Sequence, residues 1–134
     1  MRTKDEVGRS GERIALAHVE ARGWTVLATN WRCGRLGEVD IVALDGDVLV
    51  VVEVKTRSGP GFGHPSEAVT GAKLARLRLL AGRWAGVHRQ AVERACVRER
   101  SDLPRRWSAV RIDVIAVMLP AGAAPVVEHL EAVL

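Results

Sequence analysis

The dominant pattern in the chain is a pair of β-branched and aliphatic runs, Val39 to Leu44 and Val48 to Val54, separated by Asp45-Gly46-Asp47. Strand-forming runs around a glycine at the first central position of a two-residue loop predict a β-hairpin closed by a type II′ turn. With Gly46 and Asp47 as the loop, Asp45 faces Val48, Asp40 faces Glu53 and Glu38 faces Lys55. Side chains alternate with period two. Glu38, Asp40, Glu53 and Lys55 then share one face with Val42, Leu44, Leu49 and Val51, while Val39, Ile41, Val50, Val52 and Val54 take the other. A three-residue loop would move Asp40 off that pairing.

The flanking elements follow from the same kind of pattern. Ser10 to Gly23 has helical periodicity, with Ser10 as a cap and Gly23 where the helix stops. Trp24 to Arg32 reads as a strand that enters the turn Cys33-Gly34-Arg35-Leu36, so three consecutive strands form a meander. Ser58 to Pro65, rich in Gly and Pro, is a loop. Pro65-Ser66 opens a helix to about Val87, with an apolar stripe of Val69, Ala72, Leu77, Leu80, Ala81 and Trp84. His88 to Arg106 reads as a short helix followed by a mobile basic loop. Trp107 to Leu119 is a strand apolar enough to be buried on both faces. Pro120-Ala121-Gly122 then turns the chain into a short edge strand, Val126 to His129. These elements predict an α/β fold.

Length and composition narrow the class. A chain of 134 residues, 48% hydrophobic and 27% charged, fits one domain spanning residues 1–134 with a core of its own. No apolar run reaches the roughly 18 residues of a membrane span, and MRTKDEVGRS lacks an apolar signal region, so a cytoplasmic protein is expected. Cys33 and Cys96 form no zinc-binding spacing. The net charge of +4, carried more by arginine than by lysine, is compatible with a polyanionic partner.

Two carboxylates opposed across a hairpin repel by roughly 3 kcal/mol at ~5 Å and an effective dielectric of ~20, and such pairs are destabilising. Asp40 and Glu53 therefore admit two readings: part of a solvated polar face, or ligands of a divalent cation, with the Lys55 ammonium beside it. Glu12 has two readings as well, as a first-turn charge complementing the helix dipole or as a third carboxylate of the site. Lys73 lies outside the apolar stripe and has two readings, a solvated helix face or a contact to a bound phosphate, and His64 is a candidate ligand or base. Arg111 and Asp113 share a strand face, where they pair with each other or orient a neighbouring carboxylate. The arginines from Arg94 to Arg106 can grip a nucleic-acid backbone without reading its sequence.

A carboxylate on one strand, Glu-x-Lys on its hairpin partner and a glutamate on the preceding helix resemble the PD-(D/E)xK nuclease superfamily. Among its members the pattern is most similar to archaeal-type Holliday junction resolvases. In finer detail the chain resembles the YraN family of small bacterial predicted endonucleases. The resemblance is carried by Gly11-Glu12, Ala15 and Ala17, Asn30 and Arg32, Gly37-Glu38-Val39-Asp40-Ile41-Val42 and Val52-Glu53-Val54-Lys55-Thr56-Arg57. Gly63-x-Pro65, Ala68-Val69, Lys73 and Arg111-x-Asp113 continue it. Ile112 stands where such families often have Phe, and the segment 88–106 is longer than a minimal connection.

The resemblance implies a restriction endonuclease-like fold, a mixed sheet of about five strands with an antiparallel meander flanked by helices. It implies that Asp40 and Glu53, joined by Glu12, hold Mg²⁺ or Mn²⁺, and that Lys55 orients or activates the attacking water. Glu38 and Lys73 have supporting roles, with that of Glu38 open between ligand and outer contact. Arg57, Arg76, Arg98, Arg100, Arg105 and Arg106 are candidate nucleic-acid contacts. The expected activity is metal-dependent hydrolysis of DNA, branched or junction DNA included, by a homodimer. The alternative is a noncatalytic nucleic-acid-binding or scaffold domain on the same fold.

Overall fold

The computed structural model describes residues 3–58, 70–99 and 107–133, with side-chain detail for all of these except 90–99. The elements run α1 (Lys4–Ala21), β1 (Thr25–Cys33), β2 (Gly37–Asp45), β3 (Val48–Ser58), α2 (Gly71–Glu99), β4 (Ala109–Leu119) and β5 (Val126–Leu130). They build one open five-stranded sheet in the order β1-β2-β3-β4-β5. Every neighbouring pair is antiparallel except β3 and β4, whose parallel pairing needs the crossover that α2 supplies.

The expected hairpin forms with its expected register: Asp45 pairs with Val48, Leu44 with Leu49 and Ile41 with Val52. Gly46 has φ 60, and Asp47 is not among the positive-φ residues, which is the type II′ pattern. The ladder stops at Ile41–Val52, however, so the Asp40–Glu53 and Glu38–Lys55 pairs do not form. Glu38 pairs instead with Arg32 of β1.

The two faces of the sheet carry separate cores. Val42, Leu44, Leu49, Val51 and Ile112 pack under Leu77, Leu80, Ala81 and Trp84 of α2. Ile41, Ala43, Val50, Val52, Ile115 and Val117 pack under Ala15 and Val19 of α1. Burying each of the valine, leucine and isoleucine side chains among these contributes roughly 1.5–3 kcal/mol, which is why the hairpin and β4, flanked on both faces, are almost wholly apolar. Alternation breaks at one point, because Val39 joins the α2-side core while Ile41 belongs to the α1 side.

Both helices depart from their expected limits. α1 starts six residues before Ser10, because Thr3 caps it: the Glu6 N–H donates to Thr3 Oγ1 at 3.2 Å, and the Thr3 N–H donates to Glu6 Oε2 at 2.9 Å. Ser10 is therefore no cap, and Glu12 lies well inside the helix, away from the N-terminal dipole charge. The stop is where it was expected, with Gly23 at φ 85. Thr70 is not helical, and its Oγ1 accepts the Lys73 N–H at 3.1 Å. α2 continues past Val87 to Glu99, so the segment expected to be a short helix belongs to α2. Its stripe is as expected from Leu77 to Trp84, but Ala72 is exposed. Pro65, Ser66, Val69, His64 and the expected basic loop over 100–106 lie outside the described residues.

Candidate functional site

Where the hairpin ladder ends, β2 leaves β3 and the Asp40 side chain takes over the vacated bonding position. Its Oδ2 accepts the Val54 N–H at 2.8 Å. The carboxylate thereby lies on the α1 side, next to Ile41, and faces a cavity of about 310 Å³ that Arg9, Glu12, Arg13, Leu16, Thr29 and Asn30 also line. Alternation alone had put Asp40 with Val42 on the other face. The splayed strand end accounts for the difference.

Glu12 reaches this place because α1 sits directly on β3. Gly11 is buried, and a Cβ there would overlap the Oγ1, Cγ2 and Cβ atoms of Thr56. Glu12 forms part of a second wall too, in a cavity of about 490 Å³ lined by Lys4, Val7, Gly8, Val54, Lys55, Thr56, Arg57 and Ser58. Two cavities thus meet at one carboxylate, one bearing Asp40 and the other bearing Lys55 and Arg57.

The electrostatics are those of crowded negative charge. Asp40 is pushed up to about 7, by burial first and by Glu53 next, against the hydrogen bond from Val54; Glu12 and Glu38 raise it further. Glu12 is raised by burial and by Glu38, an effect that a hydrogen bond from Asn30 opposes. Lys55 is lowered by burial and by the charges of Arg57 and Lys73.

Each carboxylate of the cluster has a protein donor. Lys73 Nζ, from the first turn of α2, forms an ion pair with Glu53 Oε1. With its amide nitrogen turned toward the two glutamates, Asn30 donates to Glu38 Oε1 at 3.1 Å and to Glu12 Oε2 at 3.2 Å. Among the described residues, no three His, Cys, Asp or Glu side chains converge closely enough to hold a metal ion as they stand.

Of the residues singled out from the sequence, Glu12, Glu38, Asp40, Glu53, Lys55 and Lys73 gather in this region, with Arg57 on the rim. Lys73 is turned to Glu53. Arg76 is exposed on α2, its Cδ beside Gly37, and lines neither cavity. Arg98 is on α2, and Arg100, Arg105 and Arg106 lie outside the described residues. Sequence reasoning counted Asn30 among the residues that carry the family resemblance but gave it no role at the site, and it gave none to Arg9 or Arg13. Asn30 had a local signal, being a poor strand former inside a strand.

Arg111 and Asp113 do pair, but nearer the hairpin turn than the carboxylate cluster. Asp113, fully buried, accepts from Arg111 Nε at 2.9 Å, Arg111 Nη2 at 3.0 Å, His129 Nε2 at 2.8 Å and the Ala132 N–H at 3.0 Å. Arg111 Nη1 also donates to Asp45 Oδ2 at 3.1 Å. The network ties β2, β4, β5 and the segment after β5 together.

Fold and site together define a small α/β protein, an open mixed sheet with one helix on each face and a carboxylate–lysine cluster where the central hairpin splays. The chain belongs to the UPF0102, YraN-like family: the family described as "Uncharacterised protein family UPF0102" matches residues 11–117. It is 51% identical over 133 residues to a UPF0102 protein of Beutenbergia cavernae, covering 99% of each chain. It is 50% identical over 129 residues to one of Streptomyces coelicolor, covering 96% of this chain and 88% of the other. Among the described residues no helix is long and apolar enough to cross a membrane.

Proposed function

We propose that this protein is a divalent-metal-dependent endonuclease that hydrolyses phosphodiester bonds in DNA, branched or junction DNA included. The observation that carries the reading is the excess of negative charge at the splayed hairpin: Glu12, Glu38, Asp40 and Glu53 act on one another, and one lysine ammonium is already drawn onto Glu53. Hard oxygen donors around a cation-binding position suit Mg²⁺ or Mn²⁺. Asp40 and Glu53, with Glu12, would hold the ion, which supplies Lewis acidity to a phosphoryl oxygen.

The chain's own residues do the rest. Lys55, held below the ordinary lysine range, is suited to orient the attacking water and to stabilise charge growing on the phosphate. Arg57 at the cavity rim, Arg76 and Arg98 on α2, and Arg100, Arg105 and Arg106 beyond it supply phosphate contacts. Two copies of the chain would provide one site for each strand.

The competing reading is a noncatalytic nucleic-acid-binding domain, favoured by the fact that each carboxylate already has a protein donor. A panel of labelled four-way junction, flap, single strand and duplex, with Mn²⁺ or EDTA, separates the two. Cleavage that needs both Mn²⁺ and Glu53, and is lost in Glu53→Ala and Lys55→Ala with the fold intact, is the expected result. A shifted but uncut band, identical in the variants, would establish the binding module instead.

A further inference from the structure

Asn30 touches two carboxylates of the cluster at once, and its backbone is unusual. It lies in β1 with φ 50, a left-handed conformation that asparagine tolerates better than most residues. Neighbouring pairs in the β1–β2 ladder are Thr29 with Ile41 and Trp31 with Val39, which sets Asn30 beside Asp40. From there its amide reaches Glu38 Oε1 on β2 and Glu12 Oε2 on α1, at 3.1 and 3.2 Å. Three elements meet at one side chain.

We propose that Asn30 is the positioning residue that holds Glu12 in the site. The proposal rests on the reading of this cluster as a metal-binding site. Two glutamates brought together from different elements repel, and a neutral double donor between them removes that penalty without adding a positive charge that would compete with a metal ion. Arg32 does not replace it, since its guanidinium is 3.9 Å from Glu38 and 71% exposed. The left-handed backbone serves the same end, because it re-aims the side chain toward the cavity that Glu12 and Asp40 line. Asn30 thus acts through Glu12.

The test is Mn²⁺ binding to the full chain, read by calorimetry for wild type, Asn30→Gly, Glu12→Gln and the double variant. Glycine keeps the left-handed backbone and removes the amide. Asn30→Gly is expected to weaken Mn²⁺ by about tenfold, within the ordinary range of coupling between sites. The same change in a Glu12→Gln background is expected to do little, since the coupling partner is gone. Asn30→Ala, read the same way, covers the case in which glycine loosens β1. Equal weakening in both backgrounds, or none in either, would overturn the role of Asn30 and leave the metal reading intact. A wild type that folds yet binds no Mn²⁺ would overturn both.

Discussion

Lys73 Nζ is seated on Glu53 Oε1, a cation from the first turn of α2 resting on the Glu-x-Lys strand. A cation at a helix N-terminus opposes the helix dipole, and the first turn of α2 has no acidic residue to offset it. Glu53 is what stabilises it there, and Lys73 in turn neutralises a buried carboxylate whose charge raises Asp40. Lys73→Gln is expected to destabilise the metal-free protein by about 1–2 kcal/mol, the partial exposure of Lys73 keeping the loss below that of a fully buried pair. Saturating Mn²⁺ should remove most of that difference. Denaturant melts with and without Mn²⁺ measure it, and a loss that stays the same in both would mean that lysine and metal do not share Glu53.

Asp40 makes a prediction about pH. Its carboxyl titrates at about 7 in the fold and near 4 in the unfolded chain, so the folded protein binds this proton more tightly. The resulting stabilisation is complete below pH ~4 and is lost as pH rises through about 7. Above that, the ionised carboxylate opposes folding by up to about 4 kcal/mol relative to a neutral side chain. Asp40→Asn, whose carbonyl oxygen can still accept the Val54 N–H, is therefore expected to be more stable than wild type at pH 8 without metal and nearly equal to it at pH 4. Urea midpoints across this range give the answer; a constant gap between the two proteins would refute the titration.

Much of this arrangement was legible in the sequence, and the exceptions have physical causes. The hairpin and its turn were readable because Gly46 between two β-branched runs suits a two-residue loop, and the loop length sets the register. Asp40 changed face because alternation says nothing about where two strands part. The start of α1 was missed because the Thr3-x-x-Glu6 capping box lies in a run of charged residues that resembles a tail. The charge of the segment after Val87 hides the continuation of α2 as far as Glu99, although arginine is a good helix former. Lys73 and Asn30 acquired their roles from long-range packing, which local pattern does not encode.

Asp113 should dominate the acid side of the stability profile. Burial alone would raise its carboxyl, but hydrogen bonds from His129, Arg111 and Ala132 outweigh that and hold it below the usual carboxylate range. Its contribution is present above the unfolded pKa and is lost as pH falls through the folded one. Asp113→Ala leaves the Arg111 guanidinium with Asp45 as its remaining carboxylate and frees the Ala132 N–H, and is expected to cost about 2–4 kcal/mol at neutral pH, below the full penalty of a buried charge left alone. Because the network fastens β5, hydrogen exchange should rise first from Val126 to Leu130. A loss below about 1 kcal/mol would mean that the ion pair is replaced by water without penalty.

Gly11 tests how Glu12 is delivered to the site. A methyl group there has nowhere to go, since it would overlap three side-chain atoms of Thr56, and α1 must then lift from β3 or Thr56 must rotate. Overpacking of this kind costs about 1–3 kcal/mol, more than the helix propensity that alanine gains over glycine. Gly11→Ala is expected to lower the melting temperature accordingly, and Thr56→Ala in the same chain should recover part of the loss by removing two of the three overlapping atoms. The functional consequence lies one residue on. When the helix lifts, Glu12 withdraws from Asp40, so Mn²⁺ affinity should fall in Gly11→Ala and return partly with Thr56→Ala. A variant that melts like wild type would show that α1 does not need this close approach. One that is destabilised but keeps its full Mn²⁺ affinity would show that Glu12 lies outside the metal site.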